Sequence, residues 1–361
     1  MKIIDKYILF RFLKIVAVSL LSFIIVVVIV DLIENIDKFI DNNATFDVVI
    51  LYYIYYLPFI IILALPVSVL LSTMFTIGSI ARYHELEVMK ATGLSLYRLS
   101  LPLLIAGFII SLFMMVFTDV VGVPAEVKKA EIKHEQIEKR KPRDGRVRQN
   151  VIKAGKDGWI VYAKLYNERQ NYGESVVIQQ IESNEVKVAI KAVRMSWLEA
   201  DSTWDLINAT RRIFEDGTET EFNAYDTLRA DFLPHTPQVM EHRQKNPRDT
   251  RLFELLKLIE MKKWMKQDIS KEKVELYLKF SFPFSNFIII ILGIPLAANP
   301  RRSGSTVGFG ISVTVSFIYF IILRAGQSFG HNGSLPPFLA ATIGNIIFLV
   351  IGLALFLKAR K

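Results

Sequence analysis

Six separate apolar runs, each long enough to cross a bilayer, constrain this chain more than any other feature. A spanning helix needs about 20 predominantly apolar residues. Such runs extend from about Ile8 to Val30, Val48 to Ile80, Leu96 to Val121, Val274 to Ala297, Thr306 to Ala325 and Pro336 to Leu357. They form two groups of three around a polar middle of roughly 150 residues, the size of one domain. The pattern predicts an integral membrane α-helical protein of six transmembrane helices with one inserted water-facing domain. Its divisions are residues 1–121 (three spans), 122–273 (the inserted part with flanking helices) and 274–361 (three spans).

Lys2, Lys6, Arg11 and Lys14 surround the start of the first run, as in a signal peptide. The run is long, however, and no small-x-small site follows before Asp31, so an uncleaved anchor is expected. Pro58 and Pro66 each remove a backbone donor from the second run, which predicts a kink or break there. Six spans put both termini on one side, and charge selects the side. The N-terminal segment, the 81–98 loop (Arg82, Lys90, Arg98), the 298–304 loop (Arg301, Arg302) and the tail (Lys358, Arg360, Lys361) together hold 12 basic residues. The opposite short loops offer only Lys38, amid Asp31, Glu34, Asp37, Asp41 and Asp47. The positive-inside rule then places both termini in the cytoplasm and the inserted domain outside the inner membrane. It also accounts for part of the net charge of +9 with no nucleic acid as partner.

The inserted part begins with a charge-dense stretch, Glu126 to Lys141, which predicts a solvated helix continuing the third span and ending before Pro142 and Gly145. Period-two alternation follows in Trp159–Tyr166, Ser175–Glu182, Val186–Arg194 and Thr203–Thr210, separated by turn signals such as Lys156-Asp157-Gly158, Asn171-Tyr172-Gly173 and Asp216-Gly217. This predicts antiparallel β structure, a sandwich or open roll, with Val186, Val188 and Ile190 on the apolar face and Lys187 and Lys191 pointing away. Trp197 and Trp204 are expected in its core. From Thr250 the period is helical again, with Leu252, Leu255, Leu256 and Ile259 on one face, expected at the membrane surface or leading into the fourth span.

Catalytic patterns are missing from the sequence. There is no cysteine, hence no disulfide, thiolate metal site or cysteine nucleophile. No G-x-x-x-x-G-K-[ST], H-E-x-x-H or G-x-S-x-G occurs, and the 5 histidines are scattered. Asp119 and Arg324 stand near the outer ends of spans, whereas a proton relay or intramembrane protease would want carboxylates near the midplane. An enzyme is not expected.

Between the second and third runs the chain reads Arg82-Tyr83-His84-Glu85-Leu86-Glu87-Val88-Met89-Lys90-Ala91-Thr92-Gly93-Leu94-Ser95. With the three-plus-three layout, Asp5-Lys6-Tyr7-Ile8, Phe282-Pro283-Phe284-Ser285 and Ile294-Pro295-Leu296, it resembles the LptF/LptG permeases of lipopolysaccharide export, the N-terminal pattern leaning toward LptG. The resemblance implies a coupling helix near 82–95 in which Glu85, Leu86, Glu87, Val88, Ala91 and Gly93 meet a partner ATPase. It implies further a heterodimer of LptF-like and LptG-like subunits over an LptB-like ATPase dimer, beside an LptC-like single-span protein, and no cofactor in the permease itself. The inserted domain would be a β-jellyroll whose apolar groove, at Val186, Val188 and Ile190, carries lipopolysaccharide. Where LptG proteins can carry several lysines beyond the first span, this chain is acidic apart from Lys38.

The residues also suit the coupling role, because a short amphipathic helix between two spans, with Glu85 and Glu87 exposed, fits a rigid contact that transmits motion. An ordinary connecting loop with solvated acids fits the spacing equally well. Arg324 lies about 27 Å along its helix from Thr306, near the edge of a ~30 Å core, so Arg324 and Lys38 are candidates for the lipid phosphates. Snorkelling to the interface would place Arg324 equally well. A receptor or assembly scaffold with an external β domain is the alternative from another class, although one span would serve to anchor it. Permeases of the macrolide-exporter type place their large external domain after the first span, not the third.

Overall fold

A computed structural model describes residues 3–138, 147–154, 158–167, 169–182, 185–199, 201–215, 218–233, 236–237, 240, 247–264, 268–298 and 305–358. Pro142, Gly145, Lys156, Asp157, Asp216, Gly217, Arg301, Arg302, Arg360 and Lys361 lie outside them. The chain divides into two compact units, residues 140–244 and the remainder.

The larger unit is helical. Its elements are α1 (Ile3–Asp41), α2 (Phe46–Arg82), α3 (Glu85–Ala91), α4 (Leu96–Ile137), α5 (Leu252–Trp264), α6 (Ser270–Ala297), α7 (Ser305–His331) and α8 (Pro337–Lys358). Six of these are long and apolar enough to cross a membrane, and they make this a multi-pass membrane protein. α6 lies at the centre, touching α2, α4, α5, α7 and α8. Of its apolar stretch 67% is buried, against 11% for that of α1. Backbones come close where glycine allows it: a Cβ at Gly330 of α7 would stand 2.4 Å from the Ala340 Cβ of α8. Buried polar side chains then fix the register of three helices. The Ser281 hydroxyl of α6 donates to the Ala341 carbonyl (2.7 Å), the Asn345 amide donates to the Ser281 carbonyl (2.5 Å), and the Tyr319 hydroxyl donates to Asn345 Oδ1 (2.9 Å).

α2 corrects the expected break. It runs as one helix through Pro58 and Pro66. In a membrane the alternative to a helix is unsatisfied backbone in hydrocarbon, so the loss of one donor per proline is tolerated. α4 does continue past the membrane stretch, with π-helical turns at Thr118–Gly122 and Lys133–Ile137. Its charged part is not simply solvated, because the Lys129 ammonium pairs with Glu126 (2.6 Å) and sits 4.4 Å from the Tyr56 ring centroid.

The smaller unit is one six-stranded antiparallel sheet in sequential order: β1 (Val147–Ala154), β2 (Trp159–Asn167), β3 (Tyr172–Glu182), β4 (Glu185–Leu198), β5 (Thr203–Glu215) and β6 (Thr218–Arg229). Its core comprises Val161, Tyr166, Val176, Ile178, Ile190, Met195, Trp204 and Leu206, among others. Trp204 is fully buried, 5.0 Å from the Trp197 ring centroid.

A crease crosses all six strands. The register passes over Asn150, Lys164, Ser175, Val193, Asn208 and Asp226 in turn. On β4, Ala192 and Met195 are buried while Val193 and Arg194 both face outward, and on β5 Leu206 and Ala209 are buried while Asn208 is exposed. β2, β3, β4 and β5 each thus spend two consecutive residues on the outside and change parity, so their two halves face the same core. Ser175 (φ 50°) and Asn208 (φ 50°) take the left-handed conformation this requires, and an irregularity of this kind bends a sheet. Ser175→Val is expected to destabilise the unit by about 1–2 kcal/mol, whereas Ser175→Gly should leave it unchanged or slightly more stable, because only a side chain is penalised at that φ. Thermal midpoints of the purified full-length variants check this.

Candidate functional site

The α2–α3–α4 connection is built tightly. After α2, His84 turns the chain at φ 60°, and Glu85 and Glu87 occupy the first turn of α3, where the helix dipole favours acids. Gly93 (φ 84°) ends α3. The Leu94 N–H donates back to the Met89 carbonyl (3.2 Å), a left-handed C-terminal cap. A Cβ at Gly93 would meet nothing within 4 Å, so glycine is required there by the backbone and not by space. Ser95 then caps α4, its hydroxyl accepting from the Arg98 N–H (3.3 Å).

This geometry gives α3 two sides. Leu86 is buried in the core cluster that also holds Ile8, Phe12, Ile80 and Leu96, and Met89 and Leu94 pack partly buried against that cluster. Tyr83, Glu87, Val88, Ala91 and Gly93 face outward, Val88 with 64% of its surface exposed. The two acids differ. Glu87 Oε2 is 2.9 Å from His84 Nδ1 on the exposed side, whereas Glu85 is half-buried, its Oε2 accepting from the Tyr7 hydroxyl of α1 (3.4 Å). Arg11 Nη1 donates to the same hydroxyl (2.7 Å), and Arg11 also bonds Ser79 of α2. Asp5 of α1 receives both arms of Arg98 (2.9 and 3.0 Å). Sequence reasoning did not assign Asp5, Tyr7, Arg11 and Arg98 to this site. Their signal was a charge, Asp5, placed at the start of an apolar helix with an arginine beyond the next two spans.

At the other end of the helices polar groups gather as well. The buried Glu275 carboxylate accepts from the Gln327 amide (2.6 Å), and the Gln327 carbonyl accepts from Arg324 Nη1 (2.9 Å). His331 Nε2 lies 3.0 Å from Glu275. Arg248, in the turn Pro247–Asp249, is a charged neighbour of Arg324. Burial, and then the nearby charge of Glu126, push the Asp249 carboxyl above its ordinary range. Lys38 donates to Asn35 of its own helix (3.0 Å). Arg324 and Lys38 are thus each bonded within their own helix and have no common partner among the described residues. Asp119, near the same end of α4, accepts from the Leu252 N–H (2.8 Å) and pairs with Lys279 (3.2 Å).

In the sheet unit, Val186 and Ile190 are buried and Val188 is half-buried, all on the core side of β4, while Lys191 is exposed. Lys187 is intermediate.

No curated protein matches the chain significantly. The family model described as lipopolysaccharide export system permease LptF/LptG matches residues 6–358, a range that takes in α3, all six long helices and the sheet. The chain therefore belongs to the LptF/LptG family of lipopolysaccharide export permeases.

Proposed function

We propose that this permease works with an ATPase docked on α3, extracting lipopolysaccharide from the inner membrane and passing it to the β unit. In this reading α3 and the termini lie in the cytoplasm and the β unit in the periplasm, as the distribution of basic residues favours. The subunit would pair with a paralogous LptF-like or LptG-like permease, above an LptB-like ATPase dimer and beside an LptC-like single-span protein. The observation that carries the proposal is the two-sidedness of α3. Leu86 is buried in the core that α1, α2 and α4 share, while Tyr83, Glu87, Val88 and Ala91 stand uncovered. A seven-residue helix held this way moves with the bundle and offers a partner a small mixed apolar and acidic face. Arg324 is the candidate for lipid phosphate, since a guanidinium can leave a neutral amide for a bidentate anion, and Lys38 contributes a second cation.

On the β unit, the route would follow the core side of β4. A photo-crosslinker at Val188 should trap lipopolysaccharide in an ATP-dependent manner in the reconstituted complex, whereas one at Lys191 should not. Equal labelling at both positions, or none at either, would instead support the scaffold alternative.

A further inference from the structure

α1 is held by the rest of the helical unit at its two ends. Its buried residues are Asp5, Ile8, Phe12, Val16 and Ser19 at the start and Asn35 and Phe39 at the finish. Between them Leu21, Ile25, Val26, Ile29 and Val30 are each about half exposed. A 39-residue helix attached in this way moves as its ends are moved. The charged and hydroxyl groups that fasten its first three turns all land on one stretch of chain. Arg98 grips Asp5 with both arms, the Tyr7 hydroxyl reaches Glu85, and Arg11 reaches Ser79. Those three partners are α3 itself and the residues that flank it on either side.

The stretch is stiff as well as short. Only residues 92–95 separate α3 from α4, and they carry the Gly93 cap of one helix and the Ser95 cap of the other. Apolar packing of Ile8 and Phe12 supplies attraction but no preferred direction. The fork of Arg98 on a buried carboxylate fixes both angle and register, and separating the pair would cost two charge-assisted hydrogen bonds. We infer that the Asp5–Arg98 pair is the linkage that carries movement of α3 to α1, making both residues positioning residues of the transport cycle. This rests on α3 being the ATPase dock.

The test uses the complex reconstituted in vesicles with lipopolysaccharide and the partner ATPase. Its readout is the lipid crosslinked at Val188 per ATP hydrolysed. Asp5→Asn and Arg98→Gln should each lower that ratio about tenfold, within the usual span of coupling effects, while the ATPase stays bound. Arg98→Lys, which keeps the charge and loses the fork, should fall between them and wild type. The charge swap Asp5→Arg with Arg98→Asp should recover most of the ratio, and the single variants should lose it with their thermal midpoints unchanged, which a merely structural role would not predict. A full ratio in either single variant, or a swap no better than the singles, overturns the linkage. Because the chain has no cysteine, a second route bypasses variants that fail to assemble. Asp5→Cys with Arg98→Cys should couple poorly when free and well once joined by a short bismaleimide, and equal ratios before and after joining would also overturn it. Val88→Lys tests the dock separately, since Val88 points away from α1's anchors. If Val88→Lys retains the ATPase and full transport, the docking reading fails. If it releases the ATPase but the Asp5 and Arg98 variants couple fully, only the linkage fails.

Discussion

Glu85→Lys is expected to abolish ATPase association and lipopolysaccharide transport while the protein still inserts and folds. The side chain is half-buried at the head of α3 and bonded to Tyr7. A lysine there loses that bond and meets Arg11, which already donates to the Tyr7 hydroxyl. It also places a positive charge in the first turn, against the helix dipole, and reverses the sign of the face offered to a partner. Tyr7→Phe separates the two contributions, because it removes the hydroxyl and leaves the carboxylate. It should retain the ATPase with transport reduced only a fewfold. Co-purification of the ATPase with each variant, followed by lipid-stimulated hydrolysis, decides the matter. Wild-type association and transport in Glu85→Lys would remove α3 from the mechanism as drawn.

The second large effect belongs to the β unit. Trp204→Ala should destabilise it by about 3–5 kcal/mol, a large part of the 5–15 kcal/mol typical of a whole domain. Trp204 is fully buried and packs edge-on against Trp197 (5.0 Å) and Tyr166 (6.4 Å). The same core is closed by Ala230, Leu233 and Met240 from the chain beyond β6, and these can shift only in part to fill the hole. Proteolysis should then cut within residues 140–244 while the helical unit stays intact. Val193→Ala, on the crease with 63% of its surface exposed, is the control and should unfold like wild type. Resistance of Trp204→Ala to protease would mean that the core is held elsewhere.

The spans were legible because a bilayer demands a length, and no soluble helix imitates six runs of that length with charges confined to their ends. Strands β2 to β5 were legible because their apolar residues alternate. β6 was not, since Thr218–Arg229 is an edge strand with mostly exposed side chains, and little in it marks an inward face. The crease was invisible for a related reason: it breaks parity, and a period-two pattern that changes phase at Val193 reads as a strand ending near Arg194. β4 instead runs on to Leu198. At the candidate site the motif from Glu85 to Gly93 was readable, and its amphipathic character follows from spacing. What sequence could not give was the pairing of Asp5 with Arg98, 93 positions apart, because local patterns hold no information on which distant charges meet.

The burial of α6 has a consequence for how the protein is made. This central helix, which α2, α4, α5, α7 and α8 all touch, is the fourth of the six long ones to leave the ribosome, after the whole β unit. Until it enters the membrane, Leu70, Thr73, Gly107 and Met114, which face α6 at Gly293, Ile290 and Asn286, have only lipid or one another to meet. The first three spans can already join through α1, whose Asp5, Tyr7 and Arg11 bond Arg98, Glu85 and Ser79. The sides of α2 and α4 that await α6 nevertheless stay in lipid, satisfied by their own backbone bonds, and close late. Completion of such a chain waits on the arrival of one segment, and a nascent chain stalled before Ser270 leaves the α6-facing sides of α2 and α4 open to quality-control proteases.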